Sequence, residues 1–386
     1  MKVAFVPPRY GAEVVGGAEF AVRMFAEHLV EAGHEAEVFT SAARDATTWA
    51  DELPTGSSVE GGVAVHRFAV ESGRVPDFDE WGRPVLADPR RQSAATVDEW
   101  LRRQGPVVPD AVDAAVASDA DALISYPYLY WPTVATVRAA PERSVVHPAA
   151  HDEPMLRLPV FGEVLSSARG LVFQTRSEQH LVDRVHPVAH VPRLVLGLGV
   201  TEHEPAADAA TELGVDGPFL LCLGRVDPGK GTDALARFFA AYKGRNPGPL
   251  RLVLAGPVVG APPAHPEIVV PGVVDEDVKW GLLRDAVALV SPSGFEAFSL
   301  VVLEAMASST PVLVNRRCGA TTEHALDSGA GIPYDDYATF EVALDRLLAD
   351  LGVASDLGAA GVRYVGERFR WPVVVDRYVR FLSRVL

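Results

Sequence analysis

Two glutamates, one arginine and one lysine carry most of the chemistry legible in this chain. Glu296 and Glu304, with seven residues between them, lie in Ser291-Pro-Ser-Gly-Phe-Glu-Ala-Phe-Ser-Leu-Val-Val-Leu-Glu-Ala-Met-Ala, which runs from an apolar strand into a helical stretch. A helix starting at Ser299 would take that serine as its N-cap and turn the free amides of Leu300 and Val301 toward an anion, where the positive helix end also points. Glu296 then sits in the loop before the helix and Glu304 about a turn and a half inside it. The two carboxylates can address different parts of one hydroxyl-rich ligand. The competing reading is a pair of solvated acids that the helix dipole favours in any case.

The second segment is Leu221-Cys-Leu-Gly-Arg-Val-Asp-Pro-Gly-Lys-Gly-Thr, in which Arg225 and Lys230 bracket a Pro-Gly turn just past an apolar strand. Of the 35 cations only Lys2, Lys230, Lys243 and Lys279 are lysines. Lysine at 230 therefore marks a place that uses a compact charge on a flexible stem in a chain that otherwise prefers the planar guanidinium fork. Two cations and a helix end would neutralise a diphosphate. The segment lacks the GxxxxGK[ST] spacing of a Walker A loop, so nucleotide hydrolysis is not supported.

The elements that must position these groups read as a repeating β/α alternation, which points to parallel sheets with crossover helices. In the first half the pattern predicts strands at Lys2 to Val6, Glu35 to Thr40, Val63 to Phe68, Ala122 to Ser125, Ser144 to Val146 and Gly170 to Gln174, with a helix from Ala18 to Ala32. Between Ser41 and Pro109 the pattern loosens into what reads as an insertion. A mixed segment, Pro192 to Gly217, reads as a hinge. The second half predicts strands at Phe219 to Leu223, Leu250 to Ala255, Ile268 to Val270, Val287 to Val290 and Pro311 to Val314, and helices at Asp233 to Lys243, Asp275 to Asp285 and Ser299 to Ala307. Open α/β sheets bind ligands at the carboxyl ends of their strands.

Taken together, the two segments resemble the retaining nucleotide-sugar glycosyltransferases of family 4, α/β proteins of the GT-B fold in which two Rossmann-like domains with parallel sheets face each other across a cleft. The resemblance rests on the Gly-Arg-(four residues)-Lys-Gly run at Gly224 to Gly231, on Glu296 and Glu304, and on the Glu-Ala-Met-Ala and Pro-Val-Leu-Val-Asn pieces that follow. It covers the second half closely and the first half more weakly. It implies an acceptor-binding domain over residues 1–195, a nucleotide-sugar domain over 196–365 and a terminal helix over 366–386 that packs back on the first. It also implies that Arg225 and Lys230 hold the donor diphosphate, that Glu304 accepts from the ribose hydroxyls and that Glu296 contacts the donor sugar. The backbone of Phe298, Ser299 and Leu300 would meet phosphate and sugar, and the main chain of Val274 the base. Family members often have glycine where this chain has Ala297, Ser299 and Ser309. In the first half Gly16-Gly17 looks like the family's glycine loop, and His151, next to Asp152, resembles the histidine that meets the donor sugar, with His147 as its competitor.

The reaction so implied is transfer from a nucleoside diphosphate sugar to an acceptor hydroxyl of unknown type, with retained anomeric configuration, no metal and no cofactor beyond the co-substrate. A nucleotide-sugar epimerase or hydrolase on the same fold is the alternative. A two-domain solute-binding protein would share a hinged cleft but would not need these four charged groups together. The cluster Tyr126, Tyr128, Tyr130 and Trp131 reads as packing at the domain surface or as acceptor stacking, and Trp81, Trp100 and His66 have the same ambiguity. Asp119-Ala-Asp121 matches a DxD metal pattern by letter but precedes a strand.

Composition sets the outer bounds. The chain has 386 residues, 48% apolar and 22% charged, which is two-domain length and globular composition. A net charge of −16 argues against a nucleic-acid partner. Cys222 and Cys318 read as core residues of a reduced, cytoplasmic protein. The apolar runs are far short of the ~20 residues that span a bilayer, so no transmembrane segment is expected and only peripheral membrane contact stays open.

Overall fold

The computed structural model describes residues 1–14 and 16–386. The chain divides into two compact units, one formed by Met1–Leu198 with Pro372–Leu386 and the other by Gly199–Trp371.

The first unit is built on β1 (Lys2–Phe5), β2 (Glu35–Ser41), β3 (Gly56–Glu60), β4 (Val63–Phe68), β5 (Ala122–Ser125), β6 (Ser144–Val146), β7 (Gly170–Phe173) and β8 (Arg193–Val195). Their order in the sheet is β3-β4-β2-β1-β5-β6-β7-β8. Only β3 runs antiparallel, against β4. The strands β5, β6 and β7 are buried along their whole length, as expected where helices cover both faces of a parallel sheet. One of those helices, Gly17–Glu31, turns Ala21, Val22, Phe25 and Leu29 inward at helical spacing.

The helix Trp371–Val385 closes the unit with its own apolar stripe. Tyr378 is fully buried, and its hydroxyl lies 2.8 Å from His147 Nε2. Phe381 fills the space beside Gly170, where a Cβ would come within 2.9 Å of its ring.

The second unit holds β9 (Phe219–Leu223), β10 (Arg251–Ala255), β11 (Ile268–Gly272), β12 (Ala288–Ser291), β13 (Val312–Asn315) and β14 (Gly331–Tyr334). All pair in parallel, in the order β11-β10-β9-β12-β13-β14. Leu220, Leu252, Leu254, Ala288, Val290 and Leu313 form its core with Phe239 from the helix Thr232–Arg245. This sheet puts the ends of β9 and β12 side by side, so the two sequence segments richest in chemistry leave it at neighbouring points.

Two expectations are corrected here. The stretch from Ser41 to Pro109 is no loose insertion: besides the expected strand Val63–Phe68 it contains β3, which pairs with that strand, and the helices Phe78–Ala87 and Ala94–Gln104, and Trp100 is buried in the core. The aromatic cluster belongs to the interior more than to the domain surface, with Tyr126 and Tyr128 both buried. Tyr128 donates to Glu153 at 2.9 Å, while Tyr130 meets Trp49 edge-on at 5.2 Å. The expected hinge segment opens with β8 and later forms the short helix Ala209–Glu212.

Candidate functional site

A cavity of about 170 Å³ opens at the carboxyl ends of β9 and β12, where Gly224, Arg225, Lys230, Glu296, Ser299 and Leu300 converge. The turn after β9 owes its shape to Asp227. Its Oδ1 accepts from the Lys230 amide at 3.0 Å, capping the short 3-10 turn Pro228–Lys230, with proline at the position where the missing N–H costs nothing. Gly231 then takes φ 78°, and a Cβ there would meet the Pro292 carbonyl at 2.7 Å. That approach locks the lysine turn against the segment that carries Glu296.

Charge in the cavity is balanced by pairing. Lys230 Nζ donates to Glu296 Oε1 at 2.7 Å, and the Arg225 guanidinium pairs with the Asp227 carboxylate, holding that carboxyl below its ordinary range. Arg225 is the more open of the two cations, its side chain 56% exposed.

The helix Leu300–Ala307 begins at the cavity wall, but Ser299 does not cap it as expected. Ser299 stands at the N-cap position in the left-handed conformation, φ 68°, and its side chain makes no capping bond. A capping hydroxyl needs an extended backbone to reach the amides two or three residues on, and φ 68° turns it elsewhere. The first-turn amides consequently keep no side-chain acceptor from Ser299, and Leu300 and Val301 line the cavity. Phe298 is buried beneath the turn, edge-on to His324 at 5.0 Å.

Glu304 lies further along the same helix and is 6% exposed. Its Oε1 receives Lys279 Nζ at 3.0 Å, and its Oε2 is buried with no hydrogen-bond partner among the described residues. Burial pushes its carboxyl upward and the Lys279 ammonium opposes that. Lys279 also pairs with Glu276 at 2.7 Å. Val274, half-buried, stands in the turn between β11 and the helix Glu276–Asp285 that carries Lys279.

Gly16, Gly17 and His151 belong to the first unit. Gly16 precedes the helix Gly17–Glu31, and a Cβ there would come within 1.9 Å of Glu19 Oε2. Arg9 holds that carboxylate at 2.6 Å, so a side chain at position 16 would have to displace Glu19 from its ion pair. Gly17 has open space around it. His147 is a core residue: burial holds its ring down to about 3, and it packs against Phe25 and Tyr126. His151 is exposed, and Asp152 beside it pairs with Arg157 at 2.5 Å. Asp119 and Asp121 both bind Lys2.

Sequence reasoning passed over Asp227 and Lys279. The first was signalled by Asp-Pro-Gly, an acceptor one residue before a proline turn. The second was signalled by the same scarcity of lysine that singled out Lys230. Among the described residues no three His, Cys, Asp or Glu side chains are grouped to hold a metal ion, and no helix is long and apolar enough to cross a membrane.

The architecture is the GT-B fold. Anabaena Alr3699/HepE in complex with UDP matches it with a TM-score of 0.71, 15% identity and coverage of 100% of each chain. Residues 217–350, which hold the whole cavity, match the family model described as Glycosyl transferases group 1. A D-inositol 3-phosphate glycosyltransferase of Acidothermus cellulolyticus is 31% identical over 249 residues, 58% of this chain and 55% of that protein. Another of the same name, from Frankia alni, is 29% identical over 97% of this chain and 96% of that protein. The chain thus spans about half the length of the first curated relatives it matches and nearly all of the Frankia one.

Proposed function

We propose that this chain is a retaining, metal-independent glycosyltransferase of family 4 that moves a hexosyl group from a nucleoside diphosphate sugar to an acceptor hydroxyl. The observation that carries this is the convergence of Arg225, Lys230, Glu296 and the first turn of the Leu300–Ala307 helix on one cavity. In the reaction the bond between the anomeric carbon and the phosphate oxygen breaks, and the electron pair leaves with the diphosphate. The acceptor oxygen bonds to the same face, and its proton passes to the departing phosphate. Arg225, Lys230 and the helix end stabilise the charge that develops on the leaving group, the electrostatic role a divalent ion would otherwise fill. Glu296 orients the donor sugar, Glu304 and the Val274 main chain hold the nucleoside, and the family resemblance assigns Gly16, Gly17 and His151 to the donor as well.

The UDP in the HepE structure makes UDP-sugars the first donors to test, and the names of the curated relatives make D-inositol 3-phosphate the first acceptor. The test is incubation with UDP-, GDP- and TDP-hexoses, with and without acceptor, followed by NMR of the new linkage. An axial donor bond giving an axial product, at a rate unchanged by a chelator, supports the proposal. Product formed without acceptor, an inverted linkage or loss of activity on chelation overturns it.

A further inference from the structure

Glu178 is 4% exposed, carries no ion-pair partner among the described residues and lies outside the machinery described above. It stands in the helix Arg176–Val185, whose N-cap Thr175 accepts from the Glu178 amide at 3.1 Å. The sequence Thr-x-x-Glu would ordinarily fold the glutamate back onto its own cap as a capping box. Here the side chain faces its own cap and reaches beyond it as well. Its Oε2 accepts from the Gln174 amide at 2.7 Å, and its Oε1 from the Ala150 amide at 2.9 Å, across the turn that leaves β6. The Ala149 and Thr175 amides also point at the carboxylate.

That turn is constrained at every step. His147 donates its amide to Ser125 and its ring meets Tyr378, while the Pro148 carbonyl accepts from the Tyr128 amide at 3.1 Å. Ala149 then adopts φ 51°, a left-handed conformation that an alanine reaches only against steric resistance. Consecutive amides turned inward around such a residue form a concave anion nest, and in this chain the anion is the Glu178 carboxylate. The next residue but one is His151.

We propose that Glu178 is a positioning residue whose carboxylate, seated in the Ala149–Ala150 nest, fixes the exit of the turn and with it the place of His151. The inference rests on the assignment of His151 to the donor sugar. Burial pushes the Glu178 carboxyl up to about 7, and the inward-turned amides offset part of that cost, so the ordered turn is what makes a carboxylate tolerable at this buried position.

The test uses the full chain and the variants E178Q, H151A and the double variant E178Q/A149G. Glutamine keeps the volume but offers one acceptor, and its NH2 faces an amide that itself donates. In E178Q the amides of Ala149 and Ala150 should exchange with solvent faster, while those of β5 and β6 stay protected. Its kcat should fall by about 10- to 100-fold, the loss expected from small misplacement of a contacting group, with the Kd for UDP unchanged. Glycine at 149 takes the left-handed turn without the steric cost, so the double variant should regain part of the lost kcat, which a residue acting through core burial alone would not show. Unchanged exchange at Ala149 and Ala150 in E178Q, or wild-type kcat in E178Q when H151A is impaired, or no recovery in the double variant, overturns the inference. If H151A turns over normally while E178Q still loses amide protection, Glu178 holds the turn and the assignment of His151 to the donor is what fails.

Discussion

Lys230 Nζ and Glu296 Oε1 lie 2.7 Å apart, so the cation proposed to meet the diphosphate and the acid proposed to meet the sugar neutralise each other when no donor is bound. Both are partly exposed, at 36% and 21% for the side chains, and such a pair contributes little to stability, about 0–1 kcal/mol. Its consequence lies in binding: an incoming diphosphate competes with Glu296 for the ammonium. E296Q should therefore bind UDP as tightly as wild type or more tightly while losing turnover. K230A should bind UDP more weakly and lose about 10²- to 10³-fold in kcat, the usual effect of removing one donor to developing charge. Calorimetric titration of both variants with UDP checks the opposite signs, and a weaker E296Q would show that the two groups do not compete.

Glu304 predicts a loss confined to the nucleoside. Its buried Oε2 has no partner among the described residues, while Lys279 holds Oε1. A ribose hydroxyl reaching that oxygen would make a charge-assisted bond, worth about 1.5–3 kcal/mol. In E304Q the affinity for UDP should drop by about tenfold or more, and that for inorganic pyrophosphate should stay the same. Competition assays with the two ligands distinguish this from a general disturbance of the cavity, which would weaken both.

How much of this was legible without coordinates depends on where the information sits. The runs at Ala122–Ser125, Ser144–Val146, Val63–Phe68 and Phe219–Leu223 fold as strands over the residues expected, because continuous or alternating apolar runs report burial directly. The strand Gly56–Glu60 is mostly exposed and polar, so it carries no such signal and is defined only by its pairing with β4. The helix Phe78–Ala87 contains Gly82 and Pro84, which mask its period. Helix Leu351–Arg368 contains Gly358 and Gly361 because Ser309 and Met306 press against it. Arg225, Lys230, Glu296 and Glu304 stood out by spacing, whereas the pairings with Asp227 and Lys279 depend on which elements lie side by side. The failed cap at Ser299 is a matter of one backbone angle that a favourable side chain cannot reveal.

Stability against pH offers a separate check on Glu178. Its carboxyl is pushed up to about 7 in the folded chain from an ordinary 4.5. The folded state therefore holds this proton more firmly than the unfolded one, and the stabilisation is fully present below about pH 4.5 and lost as pH rises through 7. Over that window the loss is on the order of 3 kcal/mol. His147, held down to about 3, has the opposite sign and weakens the fold as pH falls below its ordinary 6.5. That contribution is shared by wild type and E178Q and cancels in their difference. Wild type should thus lose stability relative to E178Q between pH 4.5 and 8 in paired urea melts, and a flat difference would contradict the burial of a titrating carboxyl.

Ser299 and Ser309 stand at φ 68° and 62°, and both are positions where the resembled family often has glycine. A side chain in the left-handed region costs about 1–2 kcal/mol, and glycine gives back part of the gain through its freer unfolded chain, leaving about 0.5–1 kcal/mol. Ser309 packs against Gly358 away from the cavity, so S309G should raise Tm by about 1–4 °C with kcat unchanged. Ser299 makes no capping bond to lose, so S299G should be stabilised to a similar degree. It should also keep its affinity for UDP, since the wall of the cavity is offered by the amides of Leu300 and Val301 and not by the serine hydroxyl. Melting curves and UDP titrations of the two variants test this together. A fall in Tm for S309G would deny the backbone cost, and a fall in UDP affinity for S299G alone would assign the hydroxyl a contact with the phosphate.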